Sequence, residues 1–155
     1  MAEAPRTVLV MGFGNPGRLD DGLGPALAAA LEGTVPAGVT VDADYQLTVE
    51  DAAALAAHDV VIFADAAVDG PEPFSFERLR PEPVLGFSSH SVRPAALLAL
   101  AETLFGASPA TYVLGIRGYE FNEFGERLSA AAQANLTAAV AFVRALLQQG
   151  NYEAM

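Results

Sequence analysis

The chain contains no cysteine. This excludes a thiol nucleophile, a cysteine-ligated zinc site and a disulfide framework, so any chemistry must use Asp, Glu, His or a hydroxyl group. Basic side chains are also scarce, with 8 Lys and Arg against 19 Asp and Glu and a formal net charge of -11. A surface of that charge repels a phosphate backbone, so nucleic acid is not expected as a partner.

Long apolar runs and an export signal are lacking as well. The longest apolar stretches fall short of the ~20 residues that a membrane span needs. The first six residues carry an acid where a signal peptide carries positive charge, and Gly12, Gly14 and Asn15 interrupt the apolar run that follows. We therefore expect a cytoplasmic protein with no membrane partner.

What is present is enough apolar material for a folded core. Hydrophobic residues make up 52% of the 155 residues and charged residues 17%, a balance that excludes disorder. The length suits one domain, so we expect 1–155 to fold as a single unit, as a monomer, with 151–155 as a frayed tail.

Strand and helix patterns alternate along the chain. Short β-rich runs predict strands at 7–13, 39–43, 58–64 and 111–116, with a weaker edge strand at 74–79 in a proline-rich loop. Apolar residues at helical spacing predict helices that begin at Asp20 or Asp21 as cap, at 51–57 behind Thr48 or Glu50, at Pro94 and after Ser129. This order predicts an α/β fold, a mostly parallel twisted sheet of about five strands with helices on both faces.

Three polar residues are expected to meet at one edge of this sheet. If the strands run second, first, third, the turn 14–21 and Asp65 flank the switch point beyond the carboxyl ends of the strands, where ligands bind in open α/β sheets. The loop 86–93 can bring His90 to the same rim. Asp21, Asp65 and His90 would suit a borderline divalent metal such as zinc or nickel, with coordination positions left open.

Other interpretations of the same residues remain open. The glycine-rich turn could bind a nucleotide phosphate, but no lysine follows it and Asp20 and Asp21 would repel the anion. Either acid could simply cap the helix, and Asp65 could end its strand by bonding the next turn. A serine hydrolase is disfavoured because no nucleophile elbow exists. We expect His58 to be structural.

The segment 10–24, VMGFGNPGRLDDGLG, resembles the hallmark of the [NiFe]-hydrogenase maturation endopeptidases, G-x-G-N, four residues, D-[DE]-G/A-x-G. Every fixed position matches. The strand end IFADA at 62–66 and the segment FSSHS at 87–91 are similar to the family's aspartate and histidine segments. The resemblance implies a three-layer, phosphorylase/hydrolase-like fold. It also implies an aspartyl-type hydrolase that removes the carboxy-terminal extension of a nickel-loaded hydrogenase large-subunit precursor.

The resemblance also implies roles for single residues. Asp21, Asp65 and His90 would bind nickel that the substrate supplies, with no tightly bound cofactor of the enzyme's own, and Asp21 or Asp65 would act in catalysis. Contacts to the substrate are expected from four further residues: Gly14, Asn15, Asp20 and Arg117. Many relatives carry a proline soon after the last strand, whereas this chain has GIRGYEF at 115–121, which we interpret as a mark of its own partner.

Two further functions stay open from the residues alone. A nickel carrier or chaperone of the large subunit would use the same side chains without cutting its partner. A metal-dependent peptidase with a resident metal would retain that metal on dialysis.

Overall fold

The computed structural model describes residues 6–82 and 92–152. Five strands and four α-helices follow one another in the alternating order that the sequence predicts. They are β1 (Val8–Phe13), α1 (Leu23–Leu31), β2 (Val39–Asp44), α2 (Ala52–Ala56), β3 (Val60–Ala67), β4 (Phe74–Arg78), α3 (Pro94–Phe105), β5 (Ala110–Arg117) and α4 (Ala130–Gln149). Short 3-10 turns at Leu19–Gly22 and Val49–Asp51 precede α1 and α2.

All five strands form one sheet in the order β2-β1-β3-β5-β4. The β1 strand pairs in parallel with β2 and with β3, and β3 pairs in parallel with β5. Only β4 runs antiparallel, at the edge next to β5. The predicted α/β class, the strand order around β1 and the weak edge strand are therefore confirmed.

The two faces of the sheet carry separate apolar cores. One core packs α1 and α4 against the side chains of alternate strand residues such as Val10, Ile62 and Leu114. The other packs α2 and α3 against the intervening residues, among them Met11 and Phe63. Because side chains alternate along a strand, these two sets occupy opposite faces of the sheet. The helices cover both faces, as predicted.

Helix α1 lies unusually close to the sheet because of two glycines in the hallmark segment. A Cβ atom on Gly12 would collide with the carbonyl oxygen of Gly24, and one on Gly24 would collide with the carbonyl oxygens of Phe13 and Ala64. The spacing between Gly12 and Gly24 thus fixes how α1 leaves the turn after β1. It sets the position of the residues between them.

Several expectations at element ends are corrected. Neither Asp20 nor Asp21 caps α1, whose N-cap is Gly22 without a side-chain hydrogen bond. The third strand begins at Val60 rather than at position 58 and continues to Ala67, past Asp65. Tyr152 is buried, so the expected frayed tail does not begin at 151. The Tyr152 side chain belongs to the apolar core that α1 and α4 form with the sheet. Residues 153–155 are outside the described part of the chain.

Helix α4 also corrects the expectation about apolar stretches. Its 20 residues are long and apolar enough to cross a membrane by length and composition alone, the one such helix among residues 6–82 and 92–152. Its apolar stripe, however, packs on the sheet through residues such as Leu136, Val143 and Leu146. The core helix of a folded domain passes the same test, so this feature carries no membrane assignment.

We predict that Gly24→Ala destabilises the fold by about 3 kcal/mol, because the added methyl group meets two backbone carbonyl groups that cannot move aside. Gly33→Ala is the control, since nothing lies within 4 Å of a Cβ there and only the positive φ of 77° opposes it. It should cost about 1 kcal/mol. Urea unfolding of both variants measures the difference. Equal losses would contradict the close helix approach.

Candidate active site

Asp21 and Asp65 lie at the same edge of the sheet. Asp21 belongs to the 3-10 turn that follows β1, and Asp65 is the sixth residue of β3, the neighbouring parallel strand. The two carboxylates are close enough for the charge of Asp21 to raise the pKa of Asp65. The structure therefore brings together two of the three predicted metal ligands.

The turn 14–21 holds Asp21 through its own backbone. Gly14 has a φ of 143°, and a Cβ atom there would collide with the carbonyl oxygen of Asp21. The next residue, Asn15, donates its backbone N–H to Asp21 Oδ2 at 2.9 Å, and its side-chain Oδ1 accepts from the N–H of Gly17 at 2.8 Å. Gly14 and Asn15, for which substrate contact remains a prediction, thus shape the turn around the carboxylate.

Asp65 sits in an environment that favours its protonated form. The pKa of Asp65 is raised from 3.8 to about 7, mainly by burial. The charge of Asp21 adds to the rise, and a hydrogen bond from the backbone N–H of Ala66 at 2.8 Å opposes it. Strand alternation puts Asp65 on the same face as Phe63, the face that α2 and α3 cover. A carboxyl group with a pKa near neutrality can both accept and donate a proton at physiological pH.

Asp20 has a different role from the one the sequence suggested. It is fully buried, and its carboxylate accepts four hydrogen bonds, from the N–H groups of Tyr119, Glu120 and Ser129 and from the hydroxyl of Ser129, at 2.7 to 3.0 Å. Burial alone would raise the pKa of Asp20, but these bonds outweigh it and the pKa lies below 3.8. The predicted substrate contact by Asp20 is therefore wrong, because no part of this side chain reaches the surface.

The segment after β5 is joined to the turn by backbone contacts as well. The N–H of Leu19 donates to Gly125 at 3.0 Å, the N–H of Gly125 donates to Gly17 at 2.8 Å, and the N–H of Asp20 donates to Glu120 at 2.9 Å. Leu19 adopts a φ of 52°, a backbone conformation that residues other than glycine rarely take. Residues 118–129, which we call the anchor segment, thus hold the turn in a strained shape.

Arg117 ends β5 beside the last residue of β3. Its guanidinium donates to the carbonyl oxygen of Gly70 at 2.8 Å and to that of Gly118 at 3.3 Å, and it lies 5.0 Å from the centre of the Tyr119 ring. These bonds lie within the chain and do not test the prediction that Arg117 contacts the substrate. They show that Arg117 braces the loop after β3.

The third predicted ligand, His90, lies outside the described residues. Within 6–82 and 92–152, no group of three His, Asp or Glu side chains could hold a metal ion. The two described acids supply oxygen ligands of the kind that borderline divalent metals accept. The other histidine, His58, donates from Nδ1 to the carbonyl oxygen of Ala54 at 2.7 Å, and its structural role is confirmed.

Sequence reasoning missed the partners of Asp20. Tyr119, Glu120 and Ser129 lie about a hundred residues away along the chain, and three of the four bonds come from backbone N–H groups. Backbone donors leave no side-chain pattern to detect. The only available signal was the second acid of the Asp20-Asp21 pair, since one acid suffices to cap a helix.

Several solved structures share this fold over nearly the whole length of the chain. The hydrogenase maturating endopeptidase HybD of Escherichia coli matches with a TM-score of 0.75 at 23% identity, over 94% of each chain. An endopeptidase from Escherichia coli matches with a TM-score of 0.71 at 26% identity, over 95% of each chain. The hydrogenase 2 maturation peptidase of a Thaumarchaeota archaeon matches with a TM-score of 0.67 at 26% identity, over 94% of this chain and 99% of its own.

Comparisons of sequence alone find less. No protein family model matches the chain, and no curated protein matches it. The fold and the hallmark segment therefore carry the likeness.

We predict that Asp20→Ala lowers the free energy of unfolding by about 3 kcal/mol or more, because it leaves three N–H groups and a hydroxyl without their buried acceptor. Asp21→Ala removes an acceptor with one hydrogen bond and should cost about 1 kcal/mol. Denaturant unfolding of the two variants is the measurement. If both lost the same stability, the clamp at Asp20 would be refuted.

Asp65 should make stability depend on pH. Its pKa is raised from 3.8 to about 7 in the folded chain, so the unfolded chain releases this proton first and folding becomes less favourable as pH rises from about 4 to about 7. Asp65→Asn removes the titration and keeps an acceptor for Ala66. Between pH 4 and pH 8 the free energy of unfolding of this variant should rise by on the order of 2 to 4 kcal/mol relative to that of the parent. A constant difference across that range would contradict the raised pKa.

Proposed function

We propose that this chain, which resembles the hydrogenase maturation endopeptidases in fold and hallmark segment, removes the carboxy-terminal extension from a nickel-loaded [NiFe]-hydrogenase large-subunit precursor. The observation that carries the proposal is the pairing of Asp21 and Asp65 beside the turn that the hallmark segment builds. Two of its structural neighbours are a hydrogenase maturating endopeptidase and a hydrogenase 2 maturation peptidase, which supports the assignment as a peptidase.

In this proposal nickel belongs to the substrate. The precursor's thiolates hold the ion, and Asp21, Asp65 and His90 complete its coordination, so the enzyme cleaves only a loaded precursor. The gain is mainly one of orientation, because fixing the scissile bond against the site removes much of the entropic barrier to reaction. Two carboxylates and an imidazole suit a borderline ion such as nickel.

Asp65 is the better candidate for the general base. Before the substrate binds, its pKa of about 7 lets a large fraction of the protein hold an ionised carboxylate at neutral pH. That carboxylate takes a proton from water while the water oxygen bonds to the scissile carbonyl carbon. The carboxylic acid then returns the proton to the departing amine, and the peptide C–N bond breaks, as an aspartyl-type mechanism requires. Asp21 remains a ligand of the ion throughout.

Contacts to the precursor backbone are proposed for Gly14 and Asn15, which border the Asp21 carboxylate. Arg117 can add a charged contact at the end of β5, next to β3. The large negative charge of the chain supports a cationic protein partner rather than nucleic acid. We further propose a monomer that acts in the cytoplasm and keeps no metal of its own.

The carrier or chaperone function is the second candidate. It would use the same ligands but leave the mass of its partner unchanged. The endopeptidase fold of the neighbours favours cleavage over this alternative.

Incubation with metal-loaded and metal-free precursor tests the function. We expect the loaded precursor alone to lose its extension, seen as a mass decrease by mass spectrometry. Asp21→Asn, Asp65→Ala and His90→Ala should each reduce cleavage at least a hundredfold, because each removes a ligand of the substrate ion. Circular dichroism should show that the variants remain folded.

Two matched controls isolate the site. His58→Ala removes the other histidine, which bonds the carbonyl of Ala54, and Asp42→Asn removes an exposed carboxylate of β2. Both should cleave at the parental rate. Cleavage without nickel, or full activity of His90→Ala, would refute nickel recognition. Stoichiometric metal retained after dialysis would point instead to a resident metal.

A further inference from the structure

Large apolar side chains are exposed mainly at the edge of the sheet that carries the two acids. Six such residues are more than a third exposed among residues 6–82 and 92–152. Tyr45 follows β2, Val68 follows β3, and Tyr119 and Phe124 follow β5, so these four share the carboxyl edge of the parallel strands. Leu104 and Phe105 end α3 before β5 begins and lie at the opposite edge. Both are exposed, so they lie outside the apolar stripe by which α3 packs on the sheet.

Phe124 is the most exposed of the six, at 86%. Its neighbour Gly125 is held on both sides, by an N–H donated to Gly17 and by a carbonyl that accepts from Leu19. A bulky aromatic ring on a backbone fixed in this way loses little chain entropy when a partner covers it. Rigid aromatic residues are the usual anchors of protein interfaces.

The surroundings of Phe124 are mostly acidic. Glu120, Glu123 and Glu126 are exposed in the same segment, and two arginines balance them in part. Arg18 donates to the carbonyl oxygen of Phe121 at 3.4 Å, and the Arg127 guanidinium lies against Gly125. With a net charge of -11 on the whole chain, the field around this surface favours a cationic partner.

We propose that Tyr119 and Phe124 form a docking surface for the substrate protein, with Phe124 entering an apolar pocket that cationic side chains border. The inference rests on the proposed function for the identity of this partner, the hydrogenase large-subunit precursor. It adds a second recognition element, one that does not depend on the metal.

The anchor segment links this docking surface to the acids. Asp20 accepts from the N–H groups of Tyr119 and Glu120, and it directly precedes Asp21 in the chain. A partner seated on Phe124 is therefore held in register with the turn that presents Asp21. The surface fixes which protein is bound, and the acids contact its reacting part.

The test compares Phe124→Ala with Phe105→Ala in the full-length chain. Both remove an exposed phenylalanine, but Phe105 lies at the opposite edge of the sheet. We expect Phe124→Ala to weaken binding of the full-length precursor by roughly tenfold or more, and Phe105→Ala to change it less than about twofold. Surface plasmon resonance measures the affinity, and thermal unfolding confirms that both variants keep the parental Tm.

A nickel-loaded peptide that carries only the metal-binding thiolates, the cleavage site and the extension is the second arm of the test. Its cleavage rate should be the same for the parent and Phe124→Ala, because the peptide has no apolar pocket to receive the ring. With the full precursor the same variant should raise KM and leave kcat unchanged. Equal affinities of Phe124→Ala and Phe105→Ala for the precursor would overturn the docking surface, as would a parent chain that fails to bind it. Binding that depends on Phe124 without cleavage would refute the peptidase function and leave the surface intact.

Discussion

The buried carboxylate of Asp20 is the constraint on which the site depends. An ionised group without contact to water is tolerated only where hydrogen bonds replace its hydration, and Asp20 obtains four, from Tyr119, Glu120 and Ser129. These bonds join the turn after β1 to the anchor segment after β5, although β3 lies between the two strands. The position of Asp21 follows from this connection, because it is the next residue.

The site is costly to the fold at three points. Leu19 holds a positive φ, Asp65 is desolvated, and the charge of Asp21 opposes the ionisation of Asp65. Each feature lowers stability, and each serves the proposed chemistry: a shaped turn, a group that titrates near neutrality, and two acids close together. The two apolar cores on either face of the sheet supply the stability that offsets these losses.

Recognition and chemistry share one piece of backbone in the proposed mechanism. The anchor segment presents Phe124 on its outer side and supplies the donors for Asp20 on its inner side. A partner bound to this segment therefore rests on the same network that orients Asp21. This arrangement lets a protease with few ligands of its own choose one protein among many, because affinity comes from the partner's surface and selection for loaded precursor comes from the ion.

The sequence by itself determined the alternation of strands and helices, the sheet order around β1 and the placement of Asp21 and Asp65 at one edge. Those features follow from local apolar patterns and from the handedness of crossovers. Only the tertiary structure decided that Asp20 is a buried acceptor, since its donors are backbone N–H groups a hundred residues away. It likewise decided that Tyr152 is buried and that Phe105 and Phe124 are exposed at opposite edges. Burial depends on which surfaces meet after folding, and a residue's own chemistry does not encode that.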